Sequence, residues 1–153
     1  MTFVGLLWLA VISAVPWIEL RGAIPVGLGL GYPWPAVFLI SVAANCLVIV
    51  PAFYVLDLLY GRLSRWAWFR RQVDRVRKRG EPLIRRYSLV GLALFVAVPL
   101  PGTGAYSGAA LAWLLGLDRR KSAVAIAAGV VIAGVVVTLA ATGALAAWRG
   151  LLR

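Results

Sequence analysis

Residues Val15–Pro35 read VPWIELRGAIPVGLGLGYPWP. A carboxylate at Glu19 and a guanidinium at Arg21 stand two positions apart. Glycines follow at 22, 27, 29 and 31, and prolines frame the stretch at 16, 25, 33 and 35. Apolar sequence lies on both sides, Phe3–Ile18 before the break at ELRG and Ala23–Gly31 after it. Crossing a hydrocarbon core about 30 Å thick takes about 20 helical residues at 1.5 Å each. The returning arm is far shorter than that. Short apolar arms around a charged break read as a re-entrant hairpin, which dips into the membrane and comes back out on the side it entered.

The second half repeats the plan. Ser88–Val98 is apolar, PLPGTG breaks it at 99–104, and Ala105–Leu117 resumes it. The tripeptide AVP precedes both breaks, at Ala14–Pro16 and Ala97–Pro99. An uninterrupted apolar run follows each hairpin: Pro35–Tyr60 and Ser122–Ala147. A hairpin makes no net crossing and each long run makes one, so the second copy inserts upside down. The expected fold is an all-α integral membrane protein, an inverted repeat of re-entrant hairpin plus transmembrane helix. It forms one membrane domain over 1–153. Residues 1–60 carry the first repeat (hairpin 3–31, spanning helix 35–60) and 88–148 the second (hairpin 88–117, spanning helix 122–147). A basic amphipathic linker helix, 61–87, joins them. Inverted repeats with broken helices meeting near the midplane are a recurring transporter plan.

Composition agrees. The chain is 63% hydrophobic and 14% charged, against about a quarter charged in average globular domains. Its net charge of +11 does not read as nucleic-acid binding, because the charge is confined to two short segments between lipid-compatible runs. Ten of the sixteen basic residues fall in 62–86 and three in 119–121. The positive-inside rule then puts the linker in the cytoplasm and both termini outside, in a multi-pass protein of the cytoplasmic membrane. Leu63, Trp66, Phe69, Val73 and Val76 recur every three or four residues along the linker. This is an interfacial helix that Gly80 and Pro82 end, with membrane lipids as its partner. Phe3–Ala14 resembles a signal-peptide core, but no Lys or Arg precedes it, so cleavage is not expected. With no histidine and Cys46 as the one cysteine, His-based triads, disulfides and thiolate metal sites drop out. No enzyme, metal or cofactor is expected.

Charge inside a membrane is expensive, about 2.5–3.5 kcal/mol at the bilayer centre on insertion scales. Irregular backbone is tolerated there only where protein or water answers it. Glu19, Arg21 and the two breaks therefore point to the wall of a polar cavity between the hairpin tips. The resuming arms, starting near Gly22 and Ala105, would present helix N-termini, which favour anions. Gly102 and Gly104 allow tight backbone, and Thr103, Tyr106 and Ser107 add hydroxyls. Asn45, near the middle of the first spanning helix, faces either the cavity or a neighbouring helix. Arg21, Gly22, Asn45, Gly102, Thr103, Gly104 and Tyr106 form the expected substrate-binding set, with Glu19 the proton-coupling group. The alternative is a structural ion pair that pins the two hairpins together. Small-residue stripes at Ala125, Gly129, Ala133 and at Gly134, Thr138, Thr142 read as close helix packing, internal or in a homo-oligomer.

PWIELRGAIPVGLGLG and FVAVPLPGTGAYSGAALAWLLGL resemble the small multidrug export protein family, which is distantly similar to the DedA superfamily of membrane proteins. The resemblance spans nearly the whole chain. It implies a bacterial or archaeal membrane protein with two opposed re-entrant hairpins. For the wider superfamily it implies lipid-carrier phosphate translocation, lipid scrambling or proton-linked drug and ion tolerance. Two functions follow as expectations. The first is flippase-like transport of an anionic, phosphate-bearing cargo, with a lipid among the candidates. The second is proton-coupled export of amphipathic cations. A non-transporting structural module is the third reading.

Overall fold

The computed structural model describes residues 3–100 and 102–151, with side chains at 3, 76–88 and 149–151 outside that description. Val76, Gly80 and Pro82 fall within 76–88, and Pro101 of the PLPGTG break lies outside the description in whole. All regular structure among the described residues is helical: α1 (Phe3–Ala14), α2 (Glu19–Gly29), α3 (Trp34–Leu63), α4 (Ala67–Ala97), α5 (Ala105–Leu114) and α6 (Arg119–Leu151). α3 and α6 are each long and apolar enough to cross a membrane. α1, α2 and α5, at 12, 11 and 10 residues, reach only about 15–18 Å at 1.5 Å per residue.

Local sequence sets the boundaries. α2 and α5 end in the same motif. The Gly31 amide donates to Leu28 O and that of Tyr32 to Gly27 O, while Gly116 donates to Trp113 O and Leu117 to Ala112 O. Each is a Schellman turn, whose C′ position needs left-handed backbone and hence glycine; Gly31 has φ +80° and Gly116 φ +70°. Pro33, in extended backbone, then leads into α3. Asp118 opens α6 by accepting the Lys121 amide at 2.9 Å, an N-cap bond. α2 and α3 run through Pro25 and Pro51.

The two halves pack alike. α1 meets α2 and α3, and α2 meets α3; correspondingly α4 meets α5 and α6, and α5 meets α6. Between halves, α2 lies on α6, α5 on α3, and α3 on α6. Exchanging α1–α3 with α4–α6 returns this same set of pairs. The small-residue stripes serve this packing. A side chain on Gly129 would run into Ala93 O and Val96 of α4, and one on Gly134 into Phe38 and Val42 of α3.

At one end of the bundle, Asp57 near the end of α3 pairs with Arg119 at the start of α6 (2.7 Å) and accepts the Trp113 indole N–H (2.8 Å). Tyr60 stacks edge-on against Trp113, with centroids 5.2 Å apart, and also meets Phe69 of α4. Both basic segments, the start of the linker and Arg119–Lys121, therefore share one end. The linker differs from expectation in one respect. α4 does not stop at Gly80 and Pro82 but continues to Ala97, so the linker and the first arm of the second hairpin form one helix. An interior proline deprives one carbonyl of its donor, and among the arginines and lysines of this stretch water can supply another. The break comes instead at Pro99, after the charges end.

Candidate functional site

The hairpin tips meet. The chain between α1 and α2 bends through residues 15–18, where Trp17 (φ +83°) takes left-handed backbone, and Glu19, opening α2, has φ +50°. Side chains two apart in a regular helix point in different directions. The irregular backbone at Glu19 lifts that restriction, and Arg21 Nη1 donates to Glu19 Oε2 at 3.0 Å. Glu19 is 5% exposed.

Each charge also serves the opposite hairpin. Arg21 Nη2 donates to Val96 O (3.2 Å), Val98 O (3.1 Å) and Thr103 Oγ1 (3.0 Å). These carbonyls belong to the end of α4, where the last turn of any helix has acceptors without donors. Glu19 Oε1 accepts the Tyr106 amide at 3.4 Å, with the Ala105 amide beside it. A cation thus closes a helix C-terminus and an anion closes a helix N-terminus, each matching the local dipole. Gly104 makes this possible, since a Cβ there would overlap the Glu19 carboxylate. The Tyr106 hydroxyl donates to Ala14 O at the end of α1, and Thr103 Oγ1 lies 2.6 Å from Val98 O.

A cavity of 330 Å³ opens beside the pair, bordered by Trp17, Glu19, Arg21, Gly102, Gly104 and Tyr106. A second, apolar one of 330 Å³ lies across the Tyr106 side chain, against Val48, Pro51, Ala52, Val55 and Leu56 of α3. Of the expected residues, Glu19, Arg21, Gly102, Gly104 and Tyr106 border the tip cavity, and Thr103 stands behind it as an acceptor for Arg21. Gly22 and Asn45 do not border it. The Gly22 amide is already given to Ile18 O (3.0 Å) and the Glu19 amide to Val15 O, so the start of α2 offers fewer free donors than the start of α5. Asn45, fully buried, donates to Ser13 O (2.9 Å) and Ser41 O (3.1 Å) and closes the end of α1.

Sequence reasoning missed the acceptors of Arg21, because carbonyls carry no residue signature. The available signal was Pro99, which ends α4 and leaves its final carbonyls facing the tip. It also missed Trp17 at the cavity wall, where Ser107 stands as well, and the Asp57–Arg119 pair. Among the described residues no three of His, Cys, Asp and Glu come together as a metal site.

Residues 19–136, which include every residue of the tip cavity from Glu19 onward, match the family described as "Putative small multi-drug export protein". The chain belongs to that family. No curated protein and no solved structure matches it, and the likeness to the DedA superfamily is carried by no match. As a member of an export family with two helices long and apolar enough to span, the chain reads as a membrane transporter. The family match begins at Glu19 and ends within α6, so it takes in both tip charges and the whole of the second break.

Proposed function

We propose that this protein carries an anionic group through the membrane by letting it take the place of the Glu19 carboxylate at the hairpin tips. The observation that carries the reading is the position of Glu19, between the first amides of α5 and the Arg21 guanidinium. That is the site a small oxyanion such as phosphate would choose. Arginine stays charged at any physiological pH. With Glu19 ionised the pair is neutral; with Glu19 protonated it carries +1. The site never becomes net negative, which favours an anion arriving with a proton over a cation.

The surrounding frame is an inverted repeat of two re-entrant hairpins and two spanning helices. Supporting it are the short α1, α2 and α5, the matching Schellman turns and the packing pattern that survives exchange of the halves. Both basic segments lie at one end, which the positive-inside rule places in the cytoplasm of a multi-pass membrane protein. α4 rests its amphipathic start on anionic lipid. The protein acts as a transporter, not an enzyme.

A second reading, export of amphipathic cations, is favoured by the aromatic wall of Trp17 and Tyr106 and by the family description. Reconstituted vesicles separate the two. Proton-driven uptake of a phosphorylated probe should vanish in Arg21→Ala, and in Glu19→Gln should persist without responding to the proton gradient. Ethidium flux that needs Glu19 but survives Arg21→Ala would replace the first reading with the second.

A further inference from the structure

The two Schellman glycines, Gly31 and Gly116, lie 85 positions apart, and the helices that follow begin at Trp34 and Arg119 with the same offset. The halves can therefore be compared position by position along α3 and α6. Asp57 corresponds to Thr142, Tyr60 to Leu145, Arg119 to Trp34 and Trp113 to Leu28. At the end away from the linker, Leu28, Trp34, Thr142 and Leu145 border a cavity of 290 Å³. Trp34 and Thr142 also border a larger one of 560 Å³. At the linker end the corresponding residues hold one another: Arg119 pairs with Asp57, Trp113 donates to Asp57, and Tyr60 packs on Trp113.

The closed end lies on a route to the site. From the tip cavity, Tyr106 separates the apolar cavity against α3, which reaches from Val48 to Leu56. Asp57 is the next residue of α3. Trp113 is seven residues beyond Tyr106 on α5, about 10 Å along the helix. Tip cavity, Tyr106, apolar cavity and the Asp57 cluster thus follow one another along the α3–α5 groove.

We propose that Asp57, Arg119 and Trp113 form the linker-side gate of the transport path, shut in this structure while the corresponding outlet at the other end stands open. Transport exchanges the two: the α3–α5 groove parts as its counterpart between α6 and α2 closes. The gate is half-exposed, with Arg119 and Asp57 side chains at 56% and 38%, so it is weak enough to open repeatedly. It joins α3 and α5 to α6, elements from both halves that must separate. The inference rests on the transport reading but not on the identity of the cargo.

Cysteine accessibility tests it without any cargo. In a Cys46→Ala background, Ala52→Cys places a thiol in the apolar cavity behind the gate. A membrane-impermeant maleimide added from the linker side of oriented vesicles should react slowly. Asp57→Asn should raise that rate several-fold to about tenfold, the scale of one exposed ion pair plus the difference between a charged and a neutral hydrogen-bond acceptor. The charge swap Asp57→Arg with Arg119→Asp should return it toward the parent value. Leu145→Cys, labelled from the opposite side, should slow in Asp57→Asn. Trp113→Phe removes the N–H donor while keeping an aromatic ring against Tyr60, and should raise the Ala52→Cys rate in a folded protein even where Asp57→Asn fails to accumulate. Unchanged labelling at Ala52→Cys in both gate variants overturns the proposal. So does a charge swap as reactive as Asp57→Asn, or a Leu145→Cys rate that fails to fall. Loss of anion transport in the vesicle assay with these accessibilities intact would count against the anion reading alone.

Discussion

Gly104→Ala isolates the contact on which the tip depends. The backbone there, φ −86° and ψ −160°, suits any L-residue, so alanine brings no backbone strain. On that ground alone it should stabilise the protein by about 0.4–1 kcal/mol, by restricting the unfolded chain. The Cβ, however, would overlap the Glu19 carboxylate, and Glu19 must leave the start of α5. A hydrogen bond to a charged group contributes about 1.5–3 kcal/mol, and the charge–dipole interaction about 0.3–1 kcal/mol more. The net expectation is destabilisation of about 1–3 kcal/mol. Chemical unfolding in mixed micelles measures it, alongside the same substitution in a Glu19→Ala background. With the carboxylate gone the collision disappears, and Gly104→Ala should become neutral or stabilising. The double-mutant cycle should then give a coupling of about 1–3 kcal/mol, within the range seen for residues in contact. A stabilising Gly104→Ala in the parent protein would refute the placement of Glu19 and with it the anion-exchange reading.

Three further outcomes follow. Gly31→Ala and Gly116→Ala meet open space but force alanine into left-handed backbone, so each should cost about 1–2 kcal/mol by the same unfolding assay; unequal costs would argue against equivalent turns. Tyr106→Phe removes the hydroxyl bond to Ala14 O and should cost about 0.5–1.5 kcal/mol; it should also speed labelling of Ala52→Cys from the tip side, and a protein unchanged in both would show that the hydroxyl holds nothing. Asn45→Leu strips the donor from buried Ser13 O and should cost about 1–3 kcal/mol, with transport by the remaining folded protein retained; a folded variant that no longer transports would return Asn45 to the cargo site.

Much of the plan was legible because membranes impose length and charge rules that a sequence displays openly. The break at Glu19–Arg21, the two long apolar runs and the shared end of the basic segments could all be read from apolar run lengths and the positions of arginines. The continuity of α4 could not. Gly80 and Pro82 are strong local stop signals, and whether a helix survives them depends on what surrounds the freed carbonyl. The tip was half legible. Arg21 and Glu19 announced themselves as charges out of place, but their partners are backbone groups of Val96, Val98 and Tyr106, which any residue type could have supplied. Asn45 was placed only as near the middle of α3, and which neighbour it faces is decided by packing against the end of α1. Asp57 and Arg119 lie 62 positions apart in sequence, and pattern alone could not join them.

The uninterrupted α4 has a mechanical consequence. Its 31 residues make a rod of about 46 Å at 1.5 Å per residue, arginine-rich at one end and holding Arg21 through Val96 and Val98 at the other. A tilt imposed on the basic end, by a change in surface lipid charge for instance, is delivered to the tips as a displacement of those carbonyls. The segment that joins the halves is then a crank arm rather than a tether, and under the proposed lipid contact of its basic end, lipid composition becomes an input to the position of the charge pair.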